Sequence, residues 1–266
     1  MALTTTVKPW IKRIAQTGLI SKGIVYILLG LLGFMAAFEL GGKQNKEASQ
    51  SGALQLVKEL PAGEVLLFLL ATGLLCYAGW RVMEAFYKTD GEEKKWPKRL
   101  RYLFSGLTYL AFAITALKLA LENKTSSGDQ KQDFAGELLS KPFGQILAGI
   151  AALVLVVVGG YQIYYGLSEK YKKHVQKLSL HSTHASLLLR SGKTGYISRG
   201  VVWLVVAFLF GRAAVYSAAS EAGDTSKAFE FVEGSPFGSY LLAALSLGLM
   251  TYGFFNFIRA RYDHLG

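Results

Sequence analysis

Residues 143–167 contain no charged side chain, and five further stretches of similar length, at 19–38, 65–86, 102–121, 196–216 and 237–258, are nearly as apolar. A bilayer core about 30 Å thick is crossed by roughly 20 apolar residues in a helix, so the chain holds six candidate spans. Helices of a soluble bundle would show polar residues at helical period on their outer faces, and residues 146–158 show almost none. Composition agrees: 52% of the 266 residues are hydrophobic and 18% charged, against about 25% charged in soluble domains. This hydrophobicity excludes intrinsic disorder, and Cys76, the single cysteine, has no partner for a disulfide.

The net charge of +11 is unevenly spread. Counting the segments before 23, from 81 to 101, from 168 to 199 and after 258 as one face, that face carries 20 of the 29 Lys and Arg and 6 of the 18 acidic residues. Positive residues accumulate on the cytoplasmic side of short loops, so both chain ends are expected in the cytoplasm. No A-x-A-like cleavage site follows Lys8, Lys12 and Arg13, so the first helix is expected to stay in the membrane. A basic protein can bind nucleic acid, but here the excess flanks membrane helices, where topology and anionic lipid headgroups account for it. The bilayer and those headgroups are the expected partners, and nucleic acid is not.

Three copies of one unit are legible. The odd spans open on G-x-x-[YW], as Gly23 with Tyr26, Gly106 with Tyr109 and Gly200 with Trp203. In copies one and three the pattern extends back as R-x4-G-x4-G, through Arg13 and Gly18 and through Arg190 and Gly195, whereas copy two has Trp96 and Arg101 there. The even spans open on P-x-G at Pro61, Pro142 and Pro236, where proline suits a first helical turn. They close on Arg81, Gln162 and Asn256. The glycine motif recurs after 83 and then 94 residues, the proline motif after 81 and then 94. These spacings predict an all-α, polytopic membrane protein, six transmembrane helices forming three tandem helical hairpins with pseudo-threefold symmetry. The repeats occupy 10–88, 96–170 and 190–262, with an amphipathic cytoplasmic connector at 171–189. Gly30, Gly33, Ala113, Ala116, Ala148, Ala152, Ala244 and Gly248 supply the small faces that close helix packing in lipid uses.

These starts, together with the ending Tyr252-Gly253-Phe254-Phe255-Asn256 to Arg259-Ala260-Arg261, resemble the bacterial domain of unknown function 1206 family over residues 12–261. The resemblance implies three repeats of a two-helix membrane unit and carries no catalytic residue with it.

Ionisable residues inside a membrane are costly and generally face a cavity or one another. Repeat positions twelve and sixteen residues past the motif glycine hold Lys118 and Arg212, and Glu39 and Glu122. They are candidates for an outer solute or ion site, against the plainer expectation that they snorkel to headgroups. A second layer, Lys22, Arg81, Gln162, Arg199 and Asn256, is a candidate inner site for an acidic solute or lipid headgroup, against plain positive-inside anchoring. Tyr26, Tyr109 and Trp203 read as interfacial aromatics.

His181 and His184 have helical spacing but no neighbouring carboxylate or cysteine to complete a metal set. Signatures of hydrolases, P-loops, zincins and dinucleotide sites are missing. No cofactor, metal or enzymatic activity is therefore expected. The favoured expectation is channel- or transporter-like binding of a small solute or ion along the bundle axis. The alternative is a non-catalytic scaffold that recognises lipid or a membrane partner.

Overall fold

A computed structural model describes residues 9–40, 48–87, 95–121, 143–169, 182–216 and 225–262. The described residues form eight helices and no strand: α1 (Pro9–Ala37), α2 (Gln50–Glu59), α3 (Gly63–Tyr87), α4 (Lys95–Leu121), α5 (Gly144–Leu167), α6 (Ser182–Tyr216), α7 (Thr225–Glu233) and α8 (Gly238–Tyr262). Six of them, α1, α3, α4, α5, α6 and α8, are long and apolar enough to cross a membrane. The protein is thus an all-helical, multi-pass membrane protein. Helix is the natural answer to an apolar run in lipid, because each backbone N–H and C=O is satisfied within the segment. Of the connector expected at 171–189, residues 182–189 form the leading turns of α6. Residues 170–181 lie outside the described residues, as do Glu122 and Pro142.

Two short helices are additions to the sequence expectation. The backbone N–H of Gly52 donates to Ser49 Oγ at 3.0 Å, which caps α2, and α2 then buries Ala53, Leu54 and Val57. Helix α7 buries Ala228 and Phe229, with Phe229 closing over Gly33 of α1. Thr225 Oγ1 donates to Gln50 Oε1 at 3.2 Å, which links the starts of the two helices. Both lie on the face opposite the chain ends.

Each short helix leads into a P-x-G turn whose geometry corrects the first-turn reading of the prolines. Gly63 N–H donates to Leu60 O at 2.9 Å, and Gly238 N–H to Ser235 O at 2.8 Å. Pro61 and Pro236 therefore sit second in a tight turn, two residues ahead of the helix. The third position has positive φ, 60° at Ala62 and 60° at Phe237, and Phe143 in the middle repeat has φ 77°. Proline second with positive φ third is the type II pattern. Glycine follows because a Cβ at Gly63 would strike the Lys58 carbonyl, and one at Gly238 the Glu233 carbonyl.

The main packing joins consecutive repeats. The second span of each packs along the first span of the next, α3 on α4, α5 on α6, and α8 back on α1. The motif glycines mark these crossings. A Cβ on Gly23 would lie 2.9 Å from the Gly253 carbonyl oxygen, one on Gly200 2.8 Å from that of Gly159, and one on Gly106 3.3 Å from that of Ala78. Such separations let backbones touch, which maximises dispersion contact where lipid supplies no hydrophobic drive. Among the small residues expected at helix contacts, Ala244 is exposed.

Within repeats the packing is unequal. Gly18 fits against the Tyr77 Cα and Gly73 against Ser21, joining α1 to α3. Gly195 against Tyr252 and Gly248 against Ser198 join α6 to α8 in the same manner. The equivalent middle-repeat positions are Arg101, Val158, Val154 and Phe104, and α4 has no comparable interface with α5 among the described residues. A glycine contact of about 2.6 Å leaves no room for a side chain.

Candidate functional site

The glycine crossings on α1 and α6 hold the residue just before the motif glycine toward the bundle interior. Lys22 precedes Gly23 on α1 and Arg199 precedes Gly200 on α6. Lys22 is only 3% exposed. Its Nζ donates to Tyr77 Oη at 3.0 Å and stands 4.9, 5.2 and 5.3 Å from the ring centres of Tyr77, Tyr109 and Tyr252. Helices α1, α3, α4 and α8 thus surround one ammonium.

Arg199 shares a wall of this cage. Its Nη1 donates to Tyr252 Oη at 2.7 Å, and its guanidinium lies 5.1 Å from the ring centres of both Tyr26 and Tyr252. Arg81 reaches the opposite wall, donating from Nε at 2.9 Å and Nη2 at 2.7 Å to Tyr77 Oη. Its Nη1 pairs with Glu84 Oε2 at 2.6 Å. Edge-to-face contacts brace the rings, Tyr77 with Tyr109 at 4.5 Å, Tyr26 with Tyr252 at 4.8 Å and Tyr196 with Tyr252 at 5.2 Å.

A hydroxyl oxygen offers two lone pairs. Tyr77 Oη faces three donors, from Lys22 and Arg81. Arg199 Nε is buried with no hydrogen-bond partner. Among the described residues no carboxylate pairs with Lys22 or Arg199, while Arg81 has Glu84. Three cations and one carboxylate leave the cage formally +2 and rich in donors. A desolvated cation–π contact contributes about 2 kcal/mol, and burying a charge costs several kcal/mol per ion. The rings therefore offset part of the desolvation, and an acceptor anion would complement what remains.

Of the inner candidates, Arg81 and Arg199 come together with Lys22 in this cage. Gln162 and Asn256 are buried, and Gln162 Oε1 and Asn256 Oδ1 have no hydrogen-bond partner. Asn256 Nδ2 donates to the Tyr252 carbonyl at 2.7 Å. The outer candidates among the described residues are not gathered into one site. Lys118 is exposed near the end of α4, Glu39 is exposed just past α1, and Arg212 is half-buried on α6 with its guanidinium 5.9 Å from the Tyr216 ring. Tyr26 and Tyr109, expected at the interface, line the cage instead, because the glycine crossings turn them inward. Trp203, their counterpart, is half-buried and adds no ring to it.

Sequence reasoning missed Tyr77, Tyr252, Tyr196 and Glu84. A signal existed for two of them: Tyr77 stands four residues before Arg81 and Tyr252 four before Asn256, one helical turn apart on one face.

The chain is similar to the Uncharacterized protein YxxB of Bacillus subtilis (strain 168), with 28% identity over 261 residues that cover 97% of this chain and 93% of the relative. No solved structure matches it. The family model described as Domain of Unknown Function (DUF1206) matches three times, at residues 17–88, 100–169 and 194–263. Each match takes in one motif glycine, one P-x-G motif and two spans, and on this threefold match the chain belongs to the DUF1206 family.

Proposed function

We propose that the protein is a non-catalytic, membrane-embedded binder of an anionic group, with Lys22 and Arg199 as the principal ligands and Arg81 and the tyrosine hydroxyls as support. One observation carries this reading: buried donors outnumber acceptors around Tyr77 and Tyr252, and no carboxylate answers Lys22 or Arg199 among the described residues. The cage lies in the half of the bundle nearer the chain ends. By the distribution of positive charge, that half faces the cytoplasm of a bacterial inner membrane.

Binding suits the interior better than a through-passage. Toward the far face the helices bury Leu29, Leu32, Leu70, Leu74 and Leu249, and α2 and α7 lie beyond. Solute or ion recognition thus fits the buried inner layer rather than the dispersed outer charges. The alternative, a scaffold for a membrane partner, draws on α5, most of whose span is not buried against the rest of the bundle.

Thermal stability of the purified protein in a zwitterionic detergent tests the proposal, because a ligand that binds only the folded state raises the melting temperature with concentration. Inorganic phosphate should raise it in the wild type and fail to do so in Lys22→Gln. An identical response in both proteins, or none in the wild type, would overturn it.

A further inference from the structure

Two of the three intra-repeat seams are sealed by glycine against tyrosine and glycine against serine, Gly18 with Tyr77 and Gly73 with Ser21, then Gly195 with Tyr252 and Gly248 with Ser198. The third carries Arg101, Val158, Val154 and Phe104 at the matching positions, and there α4 and α5 do not pack as the other pairs do. Going round the bundle, α1 packs on α3, α3 on α4, α5 on α6, α6 on α8 and α8 on α1. The circuit is interrupted only between α4 and α5 among the described residues.

Of the helices flanking that interruption, α4 bears directly on the charged layer and α5 carries a polar residue at the matching repeat position. Tyr109 of α4 is one of the three rings around Lys22. Gln162 of α5 occupies the repeat position of Arg81 and Asn256, is 8% exposed, and its Oε1 has no hydrogen-bond partner. Toward the membrane the same two helices expose Phe104 and Leu107 on α4 and Val154 and Val157 on α5. The seam is therefore apolar outside and leads to a layer that is polar and positively charged inside. That combination matches an amphiphile with a negative head and a hydrocarbon tail. Basic pockets between membrane helices on the cytoplasmic side bind anionic headgroups by the same charge complementarity.

We propose that the seam between α4 and α5 is a lateral portal for an anionic phospholipid, whose phosphate sits at Lys22 and Arg199 while an acyl chain lies between Phe104 and Val154. This rests on the anion-binding reading above and names the source of the anion as the membrane. The departures of the middle repeat are then functional: glycine and tyrosine would have sealed the third seam as they seal the other two.

Native mass spectrometry of the full-length protein, exchanged into detergent with equal phosphatidylglycerol and phosphatidylcholine, tests the portal. The wild type should retain phosphatidylglycerol at least tenfold over phosphatidylcholine. The variant R101G/F104S/V154G/V158Y, which gives the middle repeat the residues of the sealed seams, should lose that preference tenfold and keep the stabilisation by inorganic phosphate. Wild-type retention by this variant overturns the portal and leaves the anion site standing. A phosphate response without any lipid preference in the wild type overturns the lipid as ligand. Loss of both in the wild type removes the anion-binding reading as well. Should the variant fail to fold, photo-crosslinking decides instead. A benzophenone side chain at Val154 should capture phosphatidylglycerol over phosphatidylcholine at least fivefold more than one at exposed Leu241, and equal ratios overturn the portal.

Discussion

Lys22 Nζ and Tyr77 Oη lie 3.0 Å apart, and the same hydroxyl also receives Nε and Nη2 of Arg81. One oxygen thus serves a buried and a half-buried cation from different helices. Hydrogen bonds to charged groups contribute about 1.5–3 kcal/mol each. Tyr77→Phe keeps the ring and removes that acceptor, so it should lower stability by about 3 kcal/mol, read as a fall in melting temperature. Tyr252→Phe removes the acceptor of the 2.7 Å bond from Arg199 and should cost about 2 kcal/mol. An unchanged melting temperature in Tyr77→Phe would mean that the hydroxyl does not hold the two cations.

Glycines in this chain divide by what surrounds them. Gly23 and Gly200 lie where backbones cross, while a Cβ at Gly79, Gly149 or Gly160 meets nothing within 4 Å. Overpacking a tight contact costs typically 1–3 kcal/mol, and alanine is favoured over glycine in a helix by about 1 kcal/mol. Gly200→Ala should therefore reduce stability and yield, whereas Gly160→Ala should leave them equal or slightly improved. Equal losses at both positions would sink the assignment of the crossings.

Phe229 is fully buried against Gly33 and belongs to the short helix α7. Phe229→Ala should destabilise the protein by about 3–5 kcal/mol and leave the response to phosphate intact, because the cage is in the other half of the bundle. Loss of that response in a folded variant would couple the far face to the site.

Orientation is open to fusion reporters. A fluorescent protein fused after residue 262 should light up, and alkaline phosphatase inserted after residue 234 should be active, if the positive segments face the cytoplasm. The reverse result would invert the topology and move the cage to the outer side.

The fold was largely legible because its cause is local. Apolar runs long enough for a bilayer read as helices, and a recurring G-x-x-[YW] marks the crossings. Their partners were harder to read. Gly79 and Gly160 stand out in the sequence, but the contacts fall one residue earlier, at Ala78 and Gly159, and only the direction in which each helix faces its neighbour decides between them. Lys22, Arg81 and Arg199 were visible as a layer. That they meet around tyrosines rather than fan out to headgroups depends on packing between repeats, with α8 of the last repeat closing on α1 of the first. Helices α2 and α7 escaped notice because a short segment burying only a few residues leaves little periodic signal. The break between α4 and α5 was present as Arg101 in place of glycine, a departure whose meaning needed the two sealed seams beside it.

The most direct measurement is isothermal titration of inorganic phosphate into the full-length protein in zwitterionic detergent, with Lys22→Gln, Arg199→Gln and Lys118→Gln in parallel. Saturable binding is expected in the wild type and in Lys118→Gln, with at least a tenfold weaker affinity in Lys22→Gln and Arg199→Gln. Equal affinity in all four proteins, or a loss confined to Lys118→Gln, would contradict the account that the buried cage is the binding site.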